Sequence, residues 1–284
     1  MNLELLVEQV GGIARECGKV LAKESLRWRE IPVEKKKGGD NPGTQVVTEI
    51  DRMLEVMLKD RLMALVSARD VGWLGEEGGD DGSRFQKPYF WCVDPLDGTQ
   101  AFVAGKPGIS ISIALVTREG RSILGVVADP LGESLYQAID EGGCWKNGER
   151  VEVITTGEIE TFWDGTWQRH PMGMELKEYL LALGWNVSEV SGGAVMNVVS
   201  LLEAKRGCYF KLPKPVEGGG SIWDFAATDC LLREAGGVVV DIEGKPLSLN
   251  RRESSFMNST GVFYASEPGF RETVVDWWKT QKSR

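Results

Sequence analysis

Trp91-Cys92-Val93-Asp94-Pro95-Leu96-Asp97-Gly98-Thr99 is the stretch on which the reading of this chain turns. The apolar run from Phe90 to Val93 predicts a buried strand that delivers Asp94 at its end. Pro95 has no N–H to donate and is expected to stop ladder pairing there. Gly98 permits close backbone approach, and the chain is expected to turn into a helix whose first N–H groups face outward. Asp94 and Asp97, three positions apart, suit hard cations with oxygen ligands, and a helix start suits an anion that those cations bridge. The plainer alternative is an Asp-Pro, Asp-Gly surface turn. It leaves the hydrophobic approach and the following Gly-Thr unexplained.

Composition narrows the chemistry. The chain has 284 residues, 42% of them hydrophobic and 26% charged, which is ordinary for a water-soluble globular protein. No run approaches the length of apolar sequence that a membrane span requires. The start, Met1-Asn2-Leu3-Glu4-Leu5, lacks the basic and apolar regions of a signal peptide, so a cytoplasmic location is expected. Five scattered cysteines (Cys17, Cys92, Cys144, Cys208 and Cys230) suit reduced thiols in a core rather than a disulfide framework or a zinc ribbon. The net charge of −9 disfavours a nucleic-acid polymer but not a small phosphorylated ligand, because a local cation outweighs global charge. The single histidine, His170, stands beside Pro171 without a nucleophile motif and reads as a solvated loop residue. Hydrolytic chemistry in this chain must therefore lean on carboxylates and hard cations.

Periodicity predicts helices over about 2–27 and 49–66, then strands at 71–75, 89–94, 109–117, 122–129 and 133–138. Lys35 to Gly43 reads as a basic loop, and Gly142 to Gly148 as a turn. The second half reads as a strand at 151–154, helices at 174–183 and 193–205, and a strand at 207–211. A glycine-rich loop, Glu217 to Gly220, leads into a helix at 222–235, a strand at 238–242 and a last helix from 268. Segregated helices and antiparallel-looking strands predict a layered α+β fold, with N-terminal (1–150) and C-terminal (151–284) halves.

Three further carboxylates stand at element ends. Glu76, in Gly75-Glu76-Glu77-Gly78-Gly79, follows a predicted strand, although an acidic glycine-rich loop is commonly only solvated. Asp51 in Thr48-Glu49-Ile50-Asp51 and Asp224 in Ser221-Ile222-Trp223-Asp224 both fit a capping box. A cap needs no catalytic explanation, yet the roles are compatible, because rigid element ends hold ligands well. A different phosphatase design uses aspartates two apart, one of them a nucleophile. The spacing of three with proline between Asp94 and Asp97 argues instead for a water activated by metal.

Taken together, these segments resemble the inositol monophosphatase superfamily over nearly the whole chain. The motifs are Val47-Thr48-Glu49-Ile50-Asp51, Gly75-Glu76-Glu77, Asp94 to Thr99, and Trp223-Asp224-Phe225-Ala226-Ala227 followed by Glu234-Ala235-Gly236-Gly237. The resemblance implies an alternating αβαβα sandwich, as in the inositol monophosphatase and fructose-1,6-bisphosphatase folds, with lithium-sensitive hydrolysis using two or three Mg2+ ions. By motif, Glu76, Asp94 and the Leu96 carbonyl hold one metal, and Asp94, Asp97 and Asp224 a second. Asp51 and Thr99, with Glu76, serve the attacking water, and the N–H groups of Gly98 and Thr99 meet the phosphate.

The substrate is less legible. Gly244-Lys245-Pro246-Leu247 and Arg251 to Asn258 resemble the matching segment of bacterial 3′(2′),5′-bisphosphate nucleotidases, and Lys245, Arg251 and Arg252 could meet a second phosphate. A solvated basic loop accounts for them equally well. The substrate-hydroxyl glutamate of inositol monophosphatases maps to Glu217 counting back from Asp224, but to Lys211 counting forward from Gly207. The expectation is a nucleotidase, with inositol 1-phosphate or histidinol phosphate as alternatives and an inactive ligand-binding homologue as a remote one. A small phosphorylated metabolite is the expected partner, and Trp277 and Trp278 suit core or homodimer packing.

Overall fold

The computed structural model describes residues 1–35, 46–67, 69–203 and 206–282, so nearly all of the basic loop at 35–43 lies outside the described residues. Helix α1 (Leu3–Ser25) is started by the Asn2 side chain, which accepts the Leu5 N–H at 3.1 Å. A small antiparallel pair, β1 (Val33–Lys35) and β2 (Val46–Thr48), leads into α2 (Glu49–Met63).

Seven strands then form one sheet in sequence order: β3 (Val71–Gly75), β4 (Tyr89–Asp97), β5 (Ser110–Thr117), β6 (Ser122–Asp129), β7 (Ser134–Ile139), β8 (Gly143–Lys146) and β9 (Glu149–Arg150). The short helix α3 (Thr99–Val103) follows β4. The second sheet holds β10 (Ile159–Trp163), β11 (Asn186–Glu189), β12 (Arg206–Lys211), β13 (Val238–Val240) and β14 (Val262–Ala265), in the order β11-β10-β12-β14-β13. Between these strands run α4 (Gly165–Arg169), α5 (Gly173–Ala182), α6 (Ala194–Val199) and α7 (Ile222–Glu234), and α8 (Gly269–Lys282) closes the chain.

Side-chain alternation along the strands sorts these pieces into five layers. On one face of the first sheet Trp73, Trp91, Ile111, Ile113 and Leu115 pack with α1 and α2. On the other, Leu74, Phe90, Cys92, Ala114 and Val116 pack with α6 and α7. The inner face of the second sheet, with Phe162, Tyr209 and Tyr264, closes on those same two helices. Its outer face, with Trp163, Phe210 and Phe263, buries α5 and α8. The result is an α+β sandwich in αβαβα order. Trp277 and Trp278 belong to that outer core, each 8% exposed. All five cysteines are buried and unpaired. Among the described residues no helix is long and apolar enough to cross a membrane.

Several expectations are corrected. Both sheets are mixed rather than antiparallel, since β3 pairs with β4, and β10 with β11 and β12, in parallel. Residues 151–154 form no strand, and the 238–242 strand stops at Val240. The helix read over 193–205 is α6 followed by a 3-10 turn, Ser200–Leu202. Strands β1, β2, β9, β10, β11 and β14 and helix α4 went unread, and the stretch read as a turn at 142–148 holds strand β8. Polar residues such as Glu160 and Thr161 are buried within β10 by neighbouring strands, so no apolar period marks it.

Candidate active site

Strand β4 does not end at Asp94. Pairing runs from Asp94 opposite Ser112 to Asp97 opposite Ser110, so three steps on β4 face two on β5. This bulge, located at Pro95 and Leu96, keeps both aspartates anchored to one neighbour while it re-aims their side chains. Asp94 Oδ1 accepts the Leu96 N–H at 3.0 Å, which braces the bulge from within. Gly98 follows at φ +87°, and a Cβ there would lie 2.5 Å from the Gly108 carbonyl oxygen, so both conformation and space demand glycine.

Both predicted capping boxes form. Asp51 Oδ2 accepts the Thr48 N–H at 2.8 Å and the Thr48 hydroxyl at 2.5 Å. Asp224 Oδ2 likewise accepts the Ser221 N–H at the start of α7. The Ser112 hydroxyl donates to the Trp223 carbonyl at 3.1 Å and fixes that helix start against the strand beside Asp94. In consequence Asp94, Asp97 and Asp224 each offer a carboxylate oxygen within 4.8 Å of the others.

Thr99 joins the fourth acid to this group. Its hydroxyl stands 3.1 Å from Asp51 Oδ1 and 3.1 Å from the Leu96 carbonyl oxygen, and donates to one of them at a time. Glu76, at the end of β3, is tied by its N–H to the Val93 carbonyl, and its charge acts on both Asp94 and Asp51. Its side chain stands outside the three-aspartate cluster.

Electrostatics at the cluster are strained. Burial, then the charges of Glu76, Asp97 and Asp224, push the Asp94 carboxyl well above its ordinary range. Burial and Asp224 push Asp97 up to about 8. Burial likewise raises Asp51, with the Thr48 hydrogen bonds opposing it. Clustered hard oxygens that repel one another in a desolvated site are the donor set a divalent cation such as Mg2+ requires, and they fit it.

Other predicted residues scatter. Lys211 stands near the cluster: its charge lowers Asp97, while its Nζ lies 3.4 Å from Asp164 Oδ2. Glu217 is exposed and accepts the Ser254 hydroxyl at 2.9 Å. Arg251 donates to the Phe256 carbonyl, and Arg252 lies over the Phe85 ring at 4.5 Å. Lys245 pairs with Glu243 on the surface. His170 is not a freely solvated loop residue: it is half-buried against Trp167, its Nδ1 accepts the Met172 N–H, and burial holds its pKa down.

Two residues at the site went unread. Glu55, one helical turn after Asp51 and 4% exposed, accepts the Glu77 N–H at 2.7 Å and fills the space beside Gly75 and Gly78. The spacing of four from Asp51 was the available signal. Gly193 caps α6, where Asp97 accepts the N–H groups of Ala194 and Val195 at 3.0 Å each; a Cβ on Gly193 would strike that carboxylate. The Gly192-Gly193 pair before an apolar run marked it.

Residues 2–274 match the model of the Inositol monophosphatase family. The chain belongs to that family. It is 35% identical to an inositol-1-monophosphatase of Rhizobium meliloti, over 82% of this chain and 84% of that one. It is 31% identical to the 3′(2′),5′-bisphosphate nucleotidase CysQ of Escherichia coli, over 95% of this chain and 100% of that one. The fold superposes on the inositol monophosphatase of Anabaena (Nostoc) sp. PCC 7120 with a TM-score of 0.74 at 21% identity, covering 98% and 97% of the two chains. Members of the inositol monophosphatase family are metal-dependent phosphatases, and this chain is a phosphatase, whose phosphatase relatives act on small phosphorylated substrates.

Proposed function

We propose that this inositol monophosphatase family member is a Mg2+-dependent, Li+-sensitive phosphomonoesterase that hydrolyses 3′(2′),5′-bisphosphate nucleotides. The observation that carries the reaction is the convergence of Asp94, Asp97 and Asp224 beside the Thr99–Asp51 hydrogen bond. Glu76, Asp94 and the Leu96 carbonyl would hold one cation, and Asp94, Asp97 and Asp224 another. Bound there, divalent cations supply charge that neutralises phosphate oxygens and acidifies water.

The protein groups have separate tasks. Asp51, fixed at Oδ2 by Thr48 and facing Thr99 through Oδ1, is the proton acceptor for the attacking water, with Thr99 as the relay. Its raised pKa brings it closer to the working range of a general base. The N–H groups of Gly98 and Thr99, at the start of α3, bind the phosphate. Glu76 adds negative charge that draws cations to the site. Buried, unpaired thiols support a reducing compartment, the cytoplasm.

The full-length match to CysQ supports the nucleotidase over the inositol phosphatase, and the higher identity to the Rhizobium protein favours the reverse. Purified protein with Mg2+ is expected to release phosphate faster from adenosine 3′,5′-bisphosphate than from inositol 1-phosphate, with Li+ inhibiting both. Equal or reversed rates reject the nucleotidase, and no release from either rejects the reaction.

A further inference from the structure

We propose that the base of the leaving nucleoside binds in an apolar cavity built by the loop before α7, with Val216 and Met257 among the residues that select it. The assignment rests on the nucleotidase reading above. The cavity, of about 340 Å³, lies between α4, the end of β12 and residues 212–219, and its size is that of a small-ligand pocket. It adjoins the carboxylate cluster: Phe225, the residue after Asp224, lines it, and so does Lys211, whose charge acts on Asp97. A leaving group displaced at the cluster therefore has this space beside it.

Much of its wall is apolar and held in place. Trp167, Leu212, Val216, Phe225 and Met257 line it, and among the described residues no carboxylate does. Trp167 stacks on Trp163 with ring centroids 4.5 Å apart, and its Nε1 donates to the Phe210 carbonyl at 3.1 Å, so the indole is fixed. The loop is clamped at both ends to one segment. The Lys214 N–H donates to the Asn258 carbonyl at 2.9 Å, and the Met257 N–H to the Gly220 carbonyl at 3.0 Å. A wall set before binding loses little freedom when a ligand arrives. Val216, between those clamps, is 44% exposed, an apolar side chain that a ligand in the cavity would shield from water.

This lining discriminates between leaving groups. A polyol such as inositol carries a hydroxyl on every ring carbon, and each hydroxyl desolvated against an apolar wall without a partner costs free energy. A nucleobase has two apolar faces and keeps its polar atoms on its edge. The faces gain from burial against Phe225, Val216 and Met257. Gly218 and Gly219 bring only backbone to the lining, and so offer amide N–H and carbonyl groups to the edge. The chain bends there through Gly219 at φ +83° and Gly220 at φ +128°, and a Cβ on Gly220 would press to 2.5 Å from the Phe225 ring. Glycine at these positions thus preserves both the backbone approach and the aromatic wall.

The test is a ratio: kcat/KM for adenosine 3′,5′-bisphosphate over kcat/KM for methyl riboside 3,5-bisphosphate, which keeps the sugar and both phosphates but has no base. Both are measured with Mg2+ on the same sample of full-length protein, so partial loss of folded enzyme cancels. The unmodified protein is expected to favour the nucleotide by about 10–100-fold, the scale of burying one ring. Val216→Asn and Met257→Gln should each lower the ratio by about threefold to tenfold, and Val216→Ile should retain most of it. A ratio near one in the unmodified protein, or a high ratio that both polar variants keep, overturns the base pocket. The nucleotidase reading survives that result if adenosine 3′,5′-bisphosphate still outpaces inositol 1-phosphate. Inositol 1-phosphate turned over as fast or faster overturns both.

Discussion

The hydroxyl of Thr99 lies 3.1 Å from Asp51 Oδ1, joining the start of α3 to the start of α2 across 48 residues of sequence. Both residues are buried, Thr99 at 8% exposed and Asp51 at 2%. A proton taken by the threonine has one carboxylate to go to. Thr99→Val, which keeps shape but removes the hydroxyl, is expected to lower kcat by about 10²–10⁴-fold, the range of general-base catalysis. Thr99→Ser should recover most of it. Near-equal kcat in the valine variant, measured by phosphate release under saturating Mg2+, removes Thr99 and Asp51 from the proton path.

Asp94 is repelled by three other acids in a desolvated site. Asp94→Asn should therefore abolish turnover and yet stabilise the metal-free protein by about 1–3 kcal/mol, the scale of an uncompensated buried polar group. Thermal melts in EDTA and in Mg2+ separate the two effects. A metal-free variant that melts below the unmodified protein contradicts the repulsion described for this cluster.

Asp97 gives the pH dependence its sign. Its folded pKa, about 8, stands above the value of about 3.9 for an aspartate in an unfolded chain. The folded state thus binds the proton more tightly. That contribution to stability is complete below the unfolded value and is lost as pH rises through about 8. Cations need the ionised carboxylate, so they compensate where the metal-free protein is weakest. The rise in melting temperature on adding Mg2+ should be larger at about pH 8.5 than at about pH 5.5. An equal or smaller rise at the higher pH counts against a metal held by Asp97.

Glu55 touches neither Asp94 nor Asp97 in any hydrogen bond, but holds the Glu76 loop through the Glu77 N–H. Glu55→Ala is expected to raise the Mg2+ concentration for half-maximal activity by about 10–100-fold, the usual effect of removing support from a metal ligand. The kcat at saturating Mg2+ should change far less. An unchanged Mg2+ response would leave Glu55 as a packing residue only.

Gly193 tests the contact between α6 and β4. A Cβ there would fall about 2 Å from the Asp97 carboxylate. Gly193→Ala should displace that carboxylate and reduce activity and Mg2+-induced stabilisation together. Retention of both would show that α6 moves freely away.

What could be read along the chain was whatever local rules determine. The capping boxes at Thr48–Asp51 and Ser221–Asp224, the apolar approach to Asp94, and the glycine demanded at 98 each depend on residues within a few positions of one another. Long amphipathic or apolar segments, α1 and β5 among them, announced themselves by period. Tertiary structure decided the rest. Strand β4 continues through Pro95 as a bulge because β5 pairs with it on both sides of the break, and no local signal reports that partner. The apolar cavity joins α4 to the loop before α7, and Trp167 and Val216 are 49 positions apart without a shared motif. Chemistry that a residue brings with it is legible in sequence. Which distant charge stands beside it depends on how five layers close, because burial and Coulomb interaction act through space.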